Sequence, residues 1–185
     1  MGERVAKALL LFADGFEEME AVTIVDVLRR AGVEVVTASP AGGKVAGAHR
    51  IHVEAERRFA DVRAADFDAV ILPGGSGNAE TLASDKRAQA LIQEAKRLDK
   101  VVAAICAAPI ALKAAGVIGS AKLTSFPGME SQFPREQYKT DRVVKDGRLL
   151  TSRGPGTAIE FALALVTELC GAAKATAVAG PMLVR

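Results

Sequence analysis

The chain has 185 residues, half apolar and a quarter charged, a composition that supports a hydrophobic core and is not that of a disordered chain. Lys plus Arg total 24 and Asp plus Glu 22, without a basic block, so we do not expect nucleic acid as the main partner. Two cysteines are too few for a disulfide framework, which favours a reducing compartment. No run reaches the roughly 20 apolar residues that span a membrane. We therefore expect one cytoplasmic domain over residues 1–185.

Apolar runs alternate with segments of helical periodicity. The predicted strands are residues 5–13, 33–38, 67–72 and 101–105, and the predicted helices are residues 17–31, 85–98, 109–115 and 157–169. Residues 42–58 have no helical period and predict a small hairpin, and Asp146-Gly147 predicts a second hairpin over residues 142–152. Apolar strands separated by helices are typical of an α/β fold whose mostly parallel sheet is covered on both sides.

Three segments follow strands and are expected to meet at one edge of this sheet, where ligands bind in open α/β folds. They are residues 14–20, 73–78 and 106–109. The last begins with Cys106, at a turn from a strand into a helix. Backbone N–H groups at such a turn lower the pKa of a thiol and can stabilise an oxyanion. The alternative is an ordinary buried cysteine, and spacing alone does not decide between the two.

The first predicted helix carries three acids in its first turn. Glu17 and Glu20 fall on or near the apolar face, and Glu18 on its margin. Acids in a first turn suit the helix dipole, but a carboxyl turned toward the core would have a raised pKa and could donate a hydrogen bond to a thiolate. Periodicity does not choose between Glu17 and Glu20.

Glycine turns and histidines add further candidates. The turn at residues 73–77 either presents N–H groups to an oxyanion or is a tight βα turn, and residues 154–157 have the same ambiguity. His49 and His52 lie in the predicted hairpin, where a surface or strand position is favoured over catalysis unless the hairpin folds over Cys106. No ligand cluster predicts a metal site. Cys170 is expected in the core or at a helix end.

Several motifs together resemble the DJ-one/ThiJ/PfpI superfamily, in the branch of the parkinsonism-associated protein and its bacterial YajL-like relatives. They are EEMEAV followed by VDVLRRAG, then LPGG, AAICAAP and LTSRGPGTAIEFAL, in this order. The similarity runs almost from end to end, as far as PMLV near the C-terminus. The resemblance implies a flavodoxin-like three-layer sandwich with small hairpin excursions, assembled as a homodimer.

The resemblance also implies roles for individual residues. It makes Cys106 the reactive cysteine and Glu20 its protonated carboxyl partner. Residues implied around the pocket are Gly74, Gly75, Ala107, Arg50, Arg30 and Phe126, with the two arginines near the pocket at the dimer interface. Ala107 stands where the PfpI-type proteases have a histidine, which argues against peptidase activity. Phe126 stands where the human-type branch has a histidine, so the base is expected to be Glu20 or water.

The family's activities imply a cofactor-free glyoxalase or deglycase that acts on methylglyoxal, glyoxal or their adducts and protects against carbonyl and oxidative stress. Cys106 would add to the aldehyde, and Glu20 would shuttle protons. The alternative is a redox-sensing chaperone in which Cys106 is oxidised to a sulfinate that Glu20 stabilises.

Overall fold

Short apolar runs form the strands of the computed structural model, which describes residues 4–184. In chain order the strands are β1 (Lys7–Leu11), β2 (Glu34–Ser39), β3 (Gly43–Ala46), β4 (His52–Ala55), β5 (Arg57–Arg58), β6 (Ala69–Leu72), β7 (Val101–Ile105), β8 (Val143–Asp146) and β9 (Leu149–Ser152). Seven of them form one sheet in the order β5-β2-β1-β6-β7-β9-β8, parallel throughout except for the edge strand β8. Residues 1–3 and 185, the ends of the predicted domain, lie outside the described residues.

Helices cover both faces of this sheet. They are α1 (Glu18–Arg30), α2 (Ser76–Ser84), α3 (Lys86–Arg97), α4 (Pro109–Ala114), α5 (Ala158–Cys170) and α6 (Ala172–Ala179). Alternate residues of β1 point to opposite faces: Leu10 packs in the core with α1 and α5, and Leu9 packs in the core with α3 and α4. The order β2-β1-β6-β7-β9 is the 2-1-3-4-5 order of flavodoxin-like folds, so the predicted three-layer sandwich is confirmed.

The predicted elements agree with the structure where apolar periodicity is strong. The strand predicted at residues 101–105 is observed with the same bounds, and α1 differs from its prediction by one residue at each end. Both hairpins are present: β3 pairs with β4, and β8 pairs with β9 around Gly147, whose φ of 59° suits such a turn. Helices α2 and α6 were not predicted, because neither has a continuous apolar stripe.

The β3–β4 hairpin lies outside the main sheet and packs against the loop that follows β1. Gly15 N–H donates to Ala46 O, and Ala48 N–H donates to Phe16 O. These bonds bring the tip of the hairpin to the carboxyl-end edge of the sheet, where the three predicted segments also meet. None of the helices within residues 4–184 is long and apolar enough to cross a membrane.

Candidate active site

Cys106 lies directly after β7 on a strained turn. Its φ of 65° is in the left-handed region, which costs a residue with a side chain about 1–2 kcal/mol. Its backbone is fixed on both sides: the Cys106 N–H donates to Ser152 O at 3.0 Å, and its carbonyl accepts from Phe126 N–H at 2.8 Å. The residue is 9% exposed. The fold therefore holds the thiol at one defined position with a small accessible surface.

Glu20 is the carboxyl that the structure brings to Cys106. It lies in the first turn of α1 and is fully buried, whereas Glu17 is only partly buried. Its Oε2 accepts a hydrogen bond from Gly74 N–H at 2.6 Å, and Oε1 has no hydrogen-bond partner among residues 4–184. Burial raises the pKa of Glu20 to about 7, against the opposing effects of Gly74 N–H and the Cys106 thiol. Near neutral pH the carboxyl can thus both give and take a proton.

Two glycines allow the loop after β6 to pack closely against the site: Gly74 against Cys106 and Glu20, and Gly75 against the loop after β1. A Cβ on Gly74 would lie 2.5 Å from Cys106 Cβ and 2.6 Å from Glu20 Oε2. Gly75 has φ 92°, and a Cβ there would lie 2.1 Å from Gly15 O. Gly75 precedes α2, so the turn at residues 73–77 is a tight βα turn and also part of the site.

The pKa of Cys106 differs from the sequence-based expectation. Turn N–H groups were expected to lower it, but burial and the charge of Glu20 raise it to about 12, and the N–H groups of Gly75 and Ala107 offset only part of this. Backbone dipoles are weaker than the combined effect of desolvation and a neighbouring carboxylate. When Glu20 is protonated the repulsion disappears, so the thiol and carboxyl behave as a pair that shares protons.

Cys106 opens into a cavity of about 770 Å³. The lining residues are Glu17, Met19, Ala48, His49, Gly75, Ser76, Glu80, Cys106, Ala107, Ile110, Phe126, Met129 and Pro155. Most of this surface is apolar, and the charged groups are two carboxylates and one imidazole. Of the predicted pocket residues, Gly75, Ala107 and Phe126 line the cavity, and Gly74 lies between Cys106 and Glu20.

The two predicted arginines do not line this cavity in a single chain. Arg30 is the last residue of α1 and pairs with Asp26 at 2.7 Å, whereas Glu20 is in the first turn of the same helix. Arg50 is exposed on the loop between β3 and β4, with φ 68°. Their expected position at a dimer interface depends on a second copy and stays a prediction.

Sequence reasoning missed Asn78, which organises the floor of the site. Its side chain is fully buried and accepts from Ala13 N–H at 2.7 Å, while its amide donates to Pro73 O at 2.6 Å and Gly74 O at 3.1 Å. Asn78 therefore ties the loop after β1 to the loop after β6. A polar residue three positions after the last glycine of LPGG was the available signal.

Sequence reasoning also missed the pairing of Glu18 with His49. His49 is exposed, as expected, and the hairpin brings it to the lining of the Cys106 cavity, which is the condition under which a role for a histidine was left open. Its Nδ1 lies 2.9 Å from Glu18 Oε2, and Glu18 is buried with a pKa lowered to about 2. Burial opposes this lowering, but hydrogen bonds from the His49 side chain and from backbone N–H groups outweigh it. His52 is exposed on β4.

The expectation that no metal-ligand cluster exists needs correction too. Possible ligand atoms of Glu17, Glu18 and His49 lie within 4.8 Å of one another. Hydrogen bonds within the loop already account for this grouping, because both carboxylate oxygens of Glu18 accept bonds from residues 49–51. Cys170, by contrast, ends α5 and packs half-buried against the core, as expected.

Known proteins share this fold, and their sequences align with nearly the whole chain at 32–42% identity. The family model described as the DJ-1/PfpI family matches residues 6–168. The protein dj-1beta of Drosophila melanogaster is 42% identical over 180 residues, which cover 96% of both chains. The glutathione-independent glyoxalase DJR-1.2 of Caenorhabditis elegans is 32% identical over 184 residues, which cover 98% of both chains. The solved structure of oxidized Toxoplasma gondii DJ-1 superposes with a TM-score of 0.94 at 35% identity, over 97% of this chain and 99% of the other.

Proposed function

We propose that this chain, which belongs to the DJ-1/PfpI family, is a glutathione-independent glyoxalase in which Cys106 is the nucleophile and Glu20 carries the protons. One observation supports this most: a fully buried carboxyl with a pKa of about 7 lies against a thiol that opens into a cavity. The relative from C. elegans that is named a glyoxalase supports small aldehydes as substrates.

The first step is addition of sulfur to the aldehyde carbon. Because the pKa of Cys106 is raised to about 12, the thiol is protonated at neutral pH and must lose its proton as it attacks. Ionised Glu20 takes that proton and returns it to the aldehyde oxygen, so that an S–C bond forms, the S–H bond breaks, and a hemithioacetal results. A pKa near 7 lets Glu20 act in both directions.

The second step moves hydrogen between the two substrate carbons. Glu20 removes the proton from the carbon bound to sulfur, and the ketone oxygen is protonated to give an enediol. Protonation of the second carbon, with loss of the first hydroxyl proton, gives the thioester of a 2-hydroxy acid. Water then cleaves the C–S bond and releases the acid, which is lactate when the substrate is methylglyoxal.

Backbone N–H groups stabilise the charge that develops on oxygen during these steps. Those of Gly75 and Ala107 face Cys106, where they hold down the pKa of its thiol. Donors fixed by the backbone need no reorganisation when the oxyanion forms. The cavity volume is in the range of small-molecule sites and exceeds the needs of a three-carbon dicarbonyl, so we include adducts of these aldehydes, the deglycase reaction, within the proposed substrate range.

Peptidase activity is not part of the proposal. Ala107, which follows the nucleophile, carries no base at the position where the PfpI-type proteases have a histidine.

The second candidate is redox sensing, with Cys106 oxidised to a sulfinate. Two observations support this candidate. The Toxoplasma relative has been solved in an oxidized form, and a protonated Glu20 can donate a hydrogen bond to a sulfinate oxygen. However, peroxide reacts with the thiolate, and burial of Cys106 raises the pKa of its thiol and so disfavours the thiolate. The same burial is compatible with addition to an aldehyde, because Glu20 removes the proton during the reaction. We therefore place turnover first and oxidation second.

We also propose that the chain is one cytoplasmic domain that assembles as a homodimer. Four large apolar side chains support the assembly: Met19 and Val22 on α1, Ile51 on the hairpin loop and Ile159 on α5 are 41–61% exposed. Helices α1 and α5 pack against each other, so their exposed residues can contribute to one surface.

The test is lactate formation from methylglyoxal without glutathione, measured for wild type, Cys106→Ser and Glu20→Gln. We expect turnover in wild type and its loss in both variants. Turnover by Cys106→Ser at the wild-type rate would contradict the assigned nucleophile. No turnover in wild type, together with clean conversion of Cys106 to sulfinate by peroxide in intact mass, would favour the redox candidate.

A further inference from the structure

The carboxylate of Glu18 fixes the loop between β3 and β4 at the mouth of the cavity. Its Oε1 accepts from His49 N–H at 2.7 Å and from Ile51 N–H at 3.3 Å. A Cβ on Gly47 would lie 2.2 Å from Oε1, so the loop backbone approaches the carboxylate as closely as only glycine permits. Oε2 is left for the His49 ring.

These contacts determine which ring nitrogen of His49 carries the proton. An ionised carboxylate only accepts hydrogen bonds, so Nδ1 must be the donor to Oε2. The neutral ring then has no proton on Nε2, which is the arrangement of a general base oriented by a carboxylate. Among the described residues none is hydrogen-bonded to Nε2, and the ring lines the cavity that contains Cys106.

We propose that His49, positioned by Glu18, activates the water that hydrolyses the thioester on Cys106. This inference rests on the proposed glyoxalase function. Nε2 takes a proton from water as its oxygen attacks the thioester carbonyl. The new C–O bond forms, the C–S bond breaks, its electron pair stays on sulfur, and the proton passes from Nε2 to the sulfur.

Glu20 and His49 are assigned to different steps because they occupy different positions around the thiol. Glu20 is fully buried against the thiol, whereas His49 lines the cavity from the β3–β4 loop, and its side chain is 69% exposed in a single chain. The carboxylates near the ring are Glu18, Glu17 with Oε2 at 3.7 Å from Nδ1, and Glu80, which lines the same cavity. They favour the imidazolium that forms, and Glu18 and Glu17 raise the pKa of His49. The hydrolysis step is therefore expected to slow as the pH falls through that pKa.

The first experiment compares His49→Gln with His52→Gln, since the second histidine is exposed on β4 outside the cavity lining. With methylglyoxal, kcat should fall about 100-fold in His49→Gln, the loss typical of a missing general base, and stay at the wild-type value in His52→Gln. Rapidly quenched His49→Gln should carry one added methylglyoxal by intact mass. After desalting, hydroxylamine should convert that adduct to lactohydroxamate, because it attacks a thioester but not a hemithioacetal.

The second experiment uses Glu18→Gln, which keeps the imidazole of His49 but moves its proton from Nδ1 to Nε2. The amide oxygen must face the two loop N–H groups, so the amide NH₂ faces Nδ1 and moves the ring proton to Nε2. We expect the same trapped thioester as in His49→Gln. Nitrogen NMR of the ring should report Nδ1–H in wild type and Nε2–H in the variant.

The outcomes separate this inference from the function on which it rests. If the wild-type protein forms no lactate, both the glyoxalase function and the role of His49 are overturned. Wild type that turns over, with His49→Gln at the wild-type kcat or with no hydroxamate from its adduct, would overturn the role of His49 and leave Cys106 and Glu20 in place. An unchanged ring tautomer in Glu18→Gln would overturn the role of Glu18.

Discussion

The buried carboxyl of Glu20 makes a prediction about stability that is independent of any substrate. Its pKa is raised from 4.5 to about 7 in the folded chain by burial. Between these values the folded state holds a proton that the unfolded state has lost. The free energy of unfolding therefore decreases as the pH rises, by about 1.4 kcal/mol per pH unit at the steepest. The contribution is fully present below pH 4.5 and is lost as the pH rises through 7.

Glu20→Gln removes this dependence and keeps the shape. The amide cannot ionise, and its oxygen can still accept the hydrogen bond from Gly74. From about pH 5 to about pH 8, linkage with these two pKa values makes wild type lose about 2.5 kcal/mol more than the variant. Other groups titrate in both proteins, including His49, so their contributions cancel in the comparison.

Urea denaturation of both proteins at several pH values in this interval measures the difference. The two curves of unfolding free energy against pH should diverge, with Glu20→Gln gaining relative to wild type toward alkaline pH. Parallel curves would refute the reasoning, because they would mean that Glu20 ionises in the folded protein as it does in the unfolded chain.

Two further predictions concern the packing around the site, and a third concerns the proposed dimer. Gly74→Ala should lower kcat for lactate formation at least about 100-fold, because its Cβ would lie 2.5 Å from that of Cys106. The circular dichroism spectrum should be unchanged, and activity near that of wild type would contradict this packing. Asn78→Ala should destabilise the chain by about 3 kcal/mol in urea, because three buried backbone groups lose their partner; a loss near zero would show that water replaces the amide. Val22→Glu should dissociate the proposed dimer in sedimentation velocity while Leu98→Glu does not, and a dimer that survives Val22→Glu would place the interface elsewhere.

The sequence predicted the sheet and the long helices, because their signals are local. Continuous apolar runs such as residues 101–105 have to be buried on both faces, and the stripe on α1 has to meet the sheet. The edge at which Cys106 lies followed from the order of strands and helices. Helix α2 was not predicted because it is held by the buried amide of Asn78 rather than by an apolar stripe.

The details of the site could not be predicted from the residues alone because they depend on contacts distant in sequence. Periodicity left Glu17 and Glu20 as equal candidates, and burial beside Gly74, 54 positions away, separates them. The pKa of Cys106 depends on how far the chain excludes water, which no motif encodes. His49 reaches the cavity only because the β3–β4 hairpin folds back onto the loop after β1.

The left-handed backbone at Cys106 also has an evolutionary consequence. At φ 65° glycine is the residue without a steric penalty, so every generation that keeps cysteine there accepts a less stable chain. Cys106→Gly is expected to relieve the strain of this turn while it removes the thiol, so stability and reactivity oppose each other at this one position.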